Sequence, residues 1–524
     1  MYREGFRAVT GSGEYIDDMA VPPGTLHMAI YRSPYPHAKI KKVDVSDVWK
    51  MGGMAFSPEE LLKIIKRPFP NALGLPIRYY PMAVHKTKYF GEPIAVVLAE
   101  DKYKAVDLLD YISVDFEPLE PVATVEEAMK GNVLIHEELG SNIAMERHMA
   151  FGDIGEAFRG GKVVEFQFRF PRHTAMPLEP YGVVAHFRED ELYVWANAQG
   201  PALYIYFIAQ ALDLSTSRIR LQTPRDIGGS FGIKYSIYPY VVLTAAASRL
   251  AGRPVKWVET RIENLAASSS NGERHGLVKI AATPDGVIKG IKFHFIEEVG
   301  AYVRPPEPGA LYRIHGNLNG AYDVRAIEVW HKVVFTNRMP TGLNRGYGGP
   351  QFYFALERAV DELARELGID PLELRLKNLV RSFPIAAHGW KFYETATGGL
   401  YPMQDYVAVV KSLEREYLKW RKEQKSGRKV GVGVAVLVEP SGTNLGYVDV
   451  AIEAEKRKYP HSGAGEYVTV SLDPSGVINV FVNATNEGLG HETVIAQVVA
   501  RELEVSPNAV KVTYQVDSSH LWTL

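Results

Sequence analysis

Three times along this chain a β-forming run passes through a glycine-rich turn directly into a helix-forming run. SRIRLQTP leads into RDIGGSFG at residues 225–232 and on to SIYPYVVLTAAASRLAG. FTNRMPTGLNRGYGGPQ leads into FYFALERAVDELARELG, and FVNATNEGLGHETVIAQVVARELE repeats the order near the end. No other feature restricts the fold as much, because each turn must deliver a strand straight to a helix N-terminus. Pro350 stands near the start of the second helix with Gly368 just past its end, and Gly252 closes the first helix with Pro254 two residues on. Such turns expose unpaired N–H groups at the positive end of a helix dipole, which suits a phosphate, a pyrophosphate or a metal-bound oxide. Glycine lets the backbone approach the ligand closely, and Arg225, Lys234 and Arg345 add positive charge. None of the turns reads G-x-x-x-x-G-K-[ST] or G-x-G-x-x-G. A single glycine turn of this kind commonly binds nothing. Three, two of them with cations, are consistent with one large dinucleotide-like anion between domains, and by themselves they specify no chemistry.

The 524 residues allow about three domains. Residues 1–125 read as a compact α/β unit. TLHMAIYRS and PIAVVLAED are its buried strands, Ser57-Pro58-Glu59-Glu60 opens a helix as a capping box, and DKYKAVDLLDYI precedes the strand SVDFEP. Residues 126–144 are expected to be a linker, 145–428 a larger α+β block, and 429–524 a third block. The charged stretch EREYLKWRKEQKSGRK reads as a solvated helix running into a linker. The last residues, YQVDSSHLWTL, hold no turn, cap or polar tail, so the chain is expected to stop inside a domain.

Composition narrows the chemistry. With 46% hydrophobic and 23% charged residues and a net charge of −2, there is no electrostatic case for nucleic acid or an anionic membrane. No apolar run approaches the ~18 residues of a membrane span, and the start, MYREGFRAVTGSGEYIDD, lacks the apolar stretch of a signal peptide, so a cytoplasmic location is expected. There is no cysteine, which excludes disulfides, thiolate nucleophiles and an all-cysteine iron–sulfur site in this chain. The 15 histidines include no H-E-x-x-H pair. Any metal must therefore be held by His, Asp or Glu, or arrive already chelated. The lack of cysteine and the sparse glutamine also fit a heat-adapted source.

Taken in order, these segments resemble the large subunit of the molybdenum hydroxylases, the family of xanthine dehydrogenase, aldehyde oxidase and carbon monoxide dehydrogenase. GSGEYIDD, LHMAIYRSPYPHAKI and YFGEPIAVVLAEDKYKAVDLL are similar to its N-terminal hammerhead domain. HTAMPLEPYGVVAHF, DIGGSFGIK, GRPVKWVETRIENL, RGYGGPQ and GEYVTVSLDPSGVINVFVNATNEGLGHETVIAQVVARELEV are similar to its two molybdenum-cofactor domains. The resemblance runs along nearly the whole chain. It implies an α+β protein: a hammerhead α/β domain over 1–125, a first cofactor domain over 145–428, and an incomplete second one over 429–524.

The resemblance also implies the chemistry. The metal, molybdenum or possibly tungsten, is held by the dithiolene of a molybdopterin, expected in its cytosine dinucleotide form, so no protein residue ligates it. A 2Fe–2S small subunit and an FAD-binding medium subunit are implied as partners, with a small-molecule substrate, an aldehyde or related carbon centre, oxidised with oxygen from water. Gln199 matches the glutamine that hydrogen-bonds an oxygen on the metal. Gly228, Gly229, Phe231 and Gly232 match the turn that approaches it. Arg345 and Gly346 match the loop beside it, and Gly488, Gly490, His491 and Thr493 match the turn that holds the pterin and nucleotide. Gln199, Phe231 and Arg345 are the implied catalytic residues, and Glu179 matches a motif position with a structural role.

Three departures stand out. Gly346 occupies the position of the cysteine in copper-using carbon monoxide enzymes, so no copper–molybdenum site is expected. Leu489 replaces the glutamine of the family's G-Q-G-H-E-T turn and cannot donate its amide hydrogen bonds. The general-base glutamate lies beyond the last residue, and Glu92 and Glu466 match other parts of the family. That missing part is expected on a separate chain, or lost; the latter would leave a non-catalytic paralogue. A nucleotide-binding enzyme of another type is the third reading, disfavoured by the lack of a phosphate-loop lysine.

Overall fold

The computed structural model describes residues 2–383, 385–387, 390–425, 429–440, 450, 468–514 and 516–518. Its largest sheet has seven strands in the order Ile219–Gln222, Glu191–Ala196, Gly182–Arg188, Val255–Val258, Leu26–Arg32, Pro93–Ala99, Met54–Phe56. Leu26–Arg32 runs parallel to Val255–Val258, in the register Leu26 to Val255, and antiparallel to Pro93–Ala99. The first block therefore shares a sheet with the second. PIAVVLA reads as a continuous apolar run because every residue of that strand is buried. Helix Tyr238–Ala251 covers strand Gly182–Arg188 and is buried on nearly every side, which explains why its sequence has little polar face.

A second sheet orders Ile143–Phe151, Ala326–Val334, Ile288–Glu298, Arg274–Ala282 and Lys162–Phe170, with helix Gly349–Leu367 lying across the last two. The third block contributes a small sheet, Val468–Leu472, Ile478–Val482 and Val510–Thr513, backed by helix His491–Glu502. The architecture is α+β, as expected from the sequence.

Local signals were accurate. The capping box at Ser57 and Glu60 forms with Pro58 at the first helical position, and Gly252 and Gly368 close their helices in the left-handed conformation. EREYLKWRKEQK is a helix, Glu414–Lys425. The stretch read as a linker differs. It continues helix Val125–Lys130, which has its own capping box between Thr124 and Glu127, and Ile135 and His136 are buried at 0% and 1% exposure. The sequence reading missed this because the buried residues of 126–144 are too few to show a period.

Candidate cofactor-binding site

The first turn follows strand Ile219–Gln222 and is held rigidly from within. Glu179 receives the Gly228 N–H at 2.8 Å and the Lys234 ammonium at 2.6 Å on one carboxylate oxygen, and the Ile16 N–H at 3.2 Å on the other. Its own N–H returns to the Gly228 carbonyl at 3.2 Å. Lys234 is fully buried. Burial pulls its pKa below the ordinary value, and Glu179 opposes that. Lys234 is therefore a partner of Glu179 and not the free cation that the sequence invites. Gly228 has to be glycine, since a Cβ there would lie 2.5 Å from the Glu179 Cβ. Gly229 and Gly232 have φ of 86° and 101°, and Phe231, at φ 53°, is itself 45% exposed.

Gln199, just beyond the end of strand Glu191–Ala196, meets this turn. The Ser230 hydroxyl donates to its Oε1 at 2.5 Å, and Ser230 in turn accepts the Lys234 N–H at 3.2 Å. The buried Tyr204 hydroxyl lies 2.8 and 2.6 Å from the carbonyls of Gln199 and Lys234. The glutamine is thus pinned at its acceptor oxygen, and its amide nitrogen remains the group that can donate elsewhere.

The second turn is interlocked with the first. The Arg345 N–H donates to the Phe231 carbonyl at 2.8 Å, and a Cβ on Gly232 would lie 2.9 Å from the Leu343 carbonyl carbon. Gly346 and Gly348 have φ of 86° and 81°, and a Cβ on Gly348 would lie 1.8 Å from the Ala310 carbonyl oxygen. Helix Gly349–Leu367 starts here with Pro350 in its first turn. Below the loop is a small recess of about 10 Å3, lined among others by His173, Glu307, Asn344, Arg345 and Gln351. Glu307 is 1% exposed. Burial first, then the nearby Glu297, push its pKa up to about 8, so it is a neutral acid at physiological pH.

The third turn, between strand Ile478–Val482 and helix His491–Glu502, is looser. A Cβ on Gly488 would meet nothing within 4 Å, and Leu489 is 64% exposed. Asn486 Oδ1 and His491 Nδ1 are buried polar atoms without a hydrogen-bond partner. Thr493 differs: its N–H and hydroxyl both donate to Glu4, at 3.2 and 2.5 Å. Glu487 sits half-buried in the turn, accepting from Thr485 at 2.8 Å. Burial raises its pKa to about 7, against the pull of Thr485 and Lys234. Arg225 of the first turn lies 3.9 Å from Glu492 in the first turn of helix His491–Glu502, so the third turn faces the first.

All the site residues singled out in the sequence thus fall on the three turns and on Gln199 beside them. Ser230, Glu307 and Glu487 escaped sequence reasoning. Glu487 left a visible signal, a carboxyl within a turn otherwise suited to an anion.

The open face at Gly488 leaves room for a polar group at this turn: the unsatisfied Asn486 Oδ1 calls for a donor, and His491 Nδ1 donates or accepts according to its tautomer. Among the described residues no group of three His, Asp or Glu could hold a metal ion, so a metal there would come with its own chelate.

Fold and site together define a hammerhead domain followed by two molybdopterin-binding domains. The family of the aldehyde oxidase and xanthine dehydrogenase a/b hammerhead domain matches residues 10–120, and two molybdopterin cofactor-binding domain families match 135–379 and 409–523. The chain is 30% identical to the nicotine 6-hydroxylase large subunit of Paenarthrobacter nicotinovorans, over 97% of this chain and 62% of that one. It is 30% identical to the nicotinate dehydrogenase large molybdopterin subunit of Eubacterium barkeri, over 79% of this chain and 93% of that one. Its fold superposes on quinoline 2-oxidoreductase from Pseudomonas putida 86 with a TM-score of 0.87 at 28% identity, covering 99% of this chain and 66% of that one. The chain belongs to the molybdenum hydroxylases, as a molybdopterin-binding large subunit. It spans 62–65% of the length of the first curated relatives it matches.

Proposed function

We propose that this chain carries the cofactor cradle of a molybdenum hydroxylase acting, in the cytoplasm, on an aldehyde or on an electron-poor carbon of a nitrogen heterocycle. The bound molybdopterin, in its cytosine dinucleotide form, would supply the redox centre at which oxygen from water is transferred to carbon. The chain's own residues position and select. Gln199, pinned through Oε1 by Ser230, offers its amide N–H toward the metal end. Phe231 and Gly232 bring backbone to the same place, and Arg345 is fixed there by its N–H on the Phe231 carbonyl. Gly488, Gly490 and His491 face the pterin and its phosphates. Glu307, its carboxyl pKa pushed up to about 8 by burial, adds little anionic charge to the wall of the small recess beside Arg345.

The observation that carries this reading is the interlock of the two turns with Gln199: Ser230 holds the Gln199 side chain, and Arg345 is bonded to the Phe231 carbonyl. Electrons leave to 2Fe–2S and FAD groups on partner chains. No helix among the described residues is long and apolar enough to cross a membrane. The test is to purify the protein from its native source, identify every co-purifying chain and measure molybdenum, tungsten and pterin. Near-stoichiometric metal and pterin with flavin and iron–sulfur chains are expected. A metal-free, pterin-free protein from cells that load other molybdenum enzymes would overturn the reading.

A further inference from the structure

The N-terminal helix Arg3–Thr10 is buried through the wrong face for a small amphipathic helix. Its apolar residues Phe6 and Val9 are 61% and 83% exposed, whereas Glu4 is 6% exposed. Charge, not apolar burial, therefore holds it in place. The Arg7 guanidinium is shared between Asp226 of the first turn, at 3.0 Å, and Glu492 of the third, at 2.6 Å, and also touches the Tyr514 hydroxyl. Burial alone would lower the Arg7 pKa, but Asp226 and Glu492 more than reverse this. Asp226 is itself fixed by the Glu14 N–H at 3.1 Å. Glu4 takes the Thr493 N–H and hydroxyl, an anion placed on the positive end of helix His491–Glu502. The Arg3 N–H donates to the Thr493 hydroxyl oxygen at 2.9 Å, and its side chain reaches the Val510 carbonyl at 2.9 Å. The Tyr2 ring lies 3.2 Å from where a Cβ on Gly490 would project.

Among its described residues the third block buries its own small apolar cluster, chiefly Ile478, Val480, Val482, Ala496, Val510 and Val512. Its far end is tied to the main sheet, where Ser518 and Asp517 meet Leu221 and Gln222. Its glycine-turn end meets the first turn through the N-terminal helix, beside a direct Arg225–Glu492 pair at 3.9 Å.

We propose that this helix is a clasp that sets the third turn at its working distance from the first, with Arg7 the positioning residue for the cofactor held between them. The proposal rests on the functional reading for the identity of the ligand, and not for the clasp itself. It reassigns Thr493 to the clasp.

The test uses the protein as purified with its companion chains, comparing Arg7→Met, Arg7→Lys and Phe6→Ala. Hydrogen exchange of amides 491–496 is expected to quicken at least tenfold in Arg7→Met. Amides of strand Ile288–Glu298 should stay unchanged, as should every amide region in Phe6→Ala beyond the helix itself. Release of bound pterin, followed by its fluorescence, should quicken in parallel, and Arg7→Lys should restore most of both. Wild-type exchange at 491–496 in Arg7→Met would overturn the clasp. Faster exchange with pterin release unchanged would overturn the positioning role. A wild-type protein that carries no pterin would fail the functional reading while the exchange experiment still decides the clasp. If Arg7→Met does not accumulate as folded protein, Glu4→Gln, which keeps the Arg7 pairs and removes the charge on Thr493, carries the same readouts.

Discussion

The first and third glycine turns share a strand–glycine–helix pattern and are opposites in construction. The first is braced from inside by the buried Glu179–Lys234 pair and the Ser230–Gln199 bond, and its glycines are packed against neighbouring atoms. The third has open space at Gly488, unsatisfied atoms on Asn486 and His491, and an external brace from the N-terminal helix. The difference teaches that a strand–glycine–helix pattern specifies backbone direction but not rigidity. Rigidity comes from what lies beneath the turn. The first turn is preformed, and the third is completed by what binds to it.

The strongest test of that contrast removes the brace of the first turn. Lys234→Met leaves the Glu179 carboxylate in a buried site without its cation. Breaking a buried pair at one partner costs about 3–5 kcal/mol. Denaturant unfolding should show a loss of that size, and a loss under about 1 kcal/mol would mean the turn is not held this way.

A second test compares the glycines themselves. Gly232→Ala and Gly488→Ala both place a side chain at positive φ, at about 1–2 kcal/mol each. At Gly232 the new methyl also meets backbone of residue 343 at 2.9 Å, adding overpacking of about 1–3 kcal/mol. At Gly488 it meets open space. Thermal unfolding should therefore rank Gly232→Ala clearly below Gly488→Ala, and equal losses would erase the distinction between a packed and an open turn.

The third turn should also be the pH-sensitive one. Glu487 has a pKa of about 7 in the folded protein against an ordinary 4.5. Between those values the folded state binds a proton that the unfolded chain has released, so its contribution to stability falls as pH rises from about 4.5 to about 7. Glu259, raised to about 7 mainly by burial, and Glu307 slope the same way, so the informative quantity is the difference between wild type and Glu487→Gln. Amides of helix His491–Glu502 should exchange faster at pH 8 than at pH 5, after correction for intrinsic rates, and Glu487→Gln should flatten that difference. Glu273 provides the opposite sign. Burial raises its pKa, but bonds from His275, Arg169 and Arg338 outweigh this and hold it at about 2, so its contribution is lost only as pH falls toward 2.

What could be read in the sequence was local. The three turns, the capping box at Ser57 and the glycine ends of two helices depend on neighbours a few residues away, and the family resemblance added the expectation that Gln199 and the turns form one site. What could not be read spans the chain. Lys234 looks like a ligand-facing cation until Glu179, 55 residues earlier, is seen to neutralise it. Strand Leu26–Arg32 gives no sign that its partner is Val255–Val258. Arg3–Thr10 lacks an apolar period because its buried face is charged, and its partners lie 219 residues on, at Asp226, and 485 or more residues on, at Glu492, Thr493 and Val510. The raised pKa of Glu487 is a consequence of tertiary burial that no spacing records.

The smallest expected effect concerns Leu489. In the family's turn this position is a glutamine, and here the leucine is 64% exposed and packs against little. Leu489→Gln should therefore leave unfolding within about 0.5 kcal/mol of wild type, as for an ordinary surface substitution. Its effect should fall on the ligand. An amide at this position restores one hydrogen bond to a bound pterin, worth about 1 kcal/mol net, or several-fold slower pterin release. The same substitution would do nothing for the ligand if the third turn were as closed as the first, because a turn packed shut offers the new amide no ligand atom to reach. Slower release without added stability would mark the third turn as the adaptable half of the cradle. Unchanged release with unchanged stability would place Leu489 outside it and move the ligand contact to Asn486 and His491, whose buried polar atoms still lack partners.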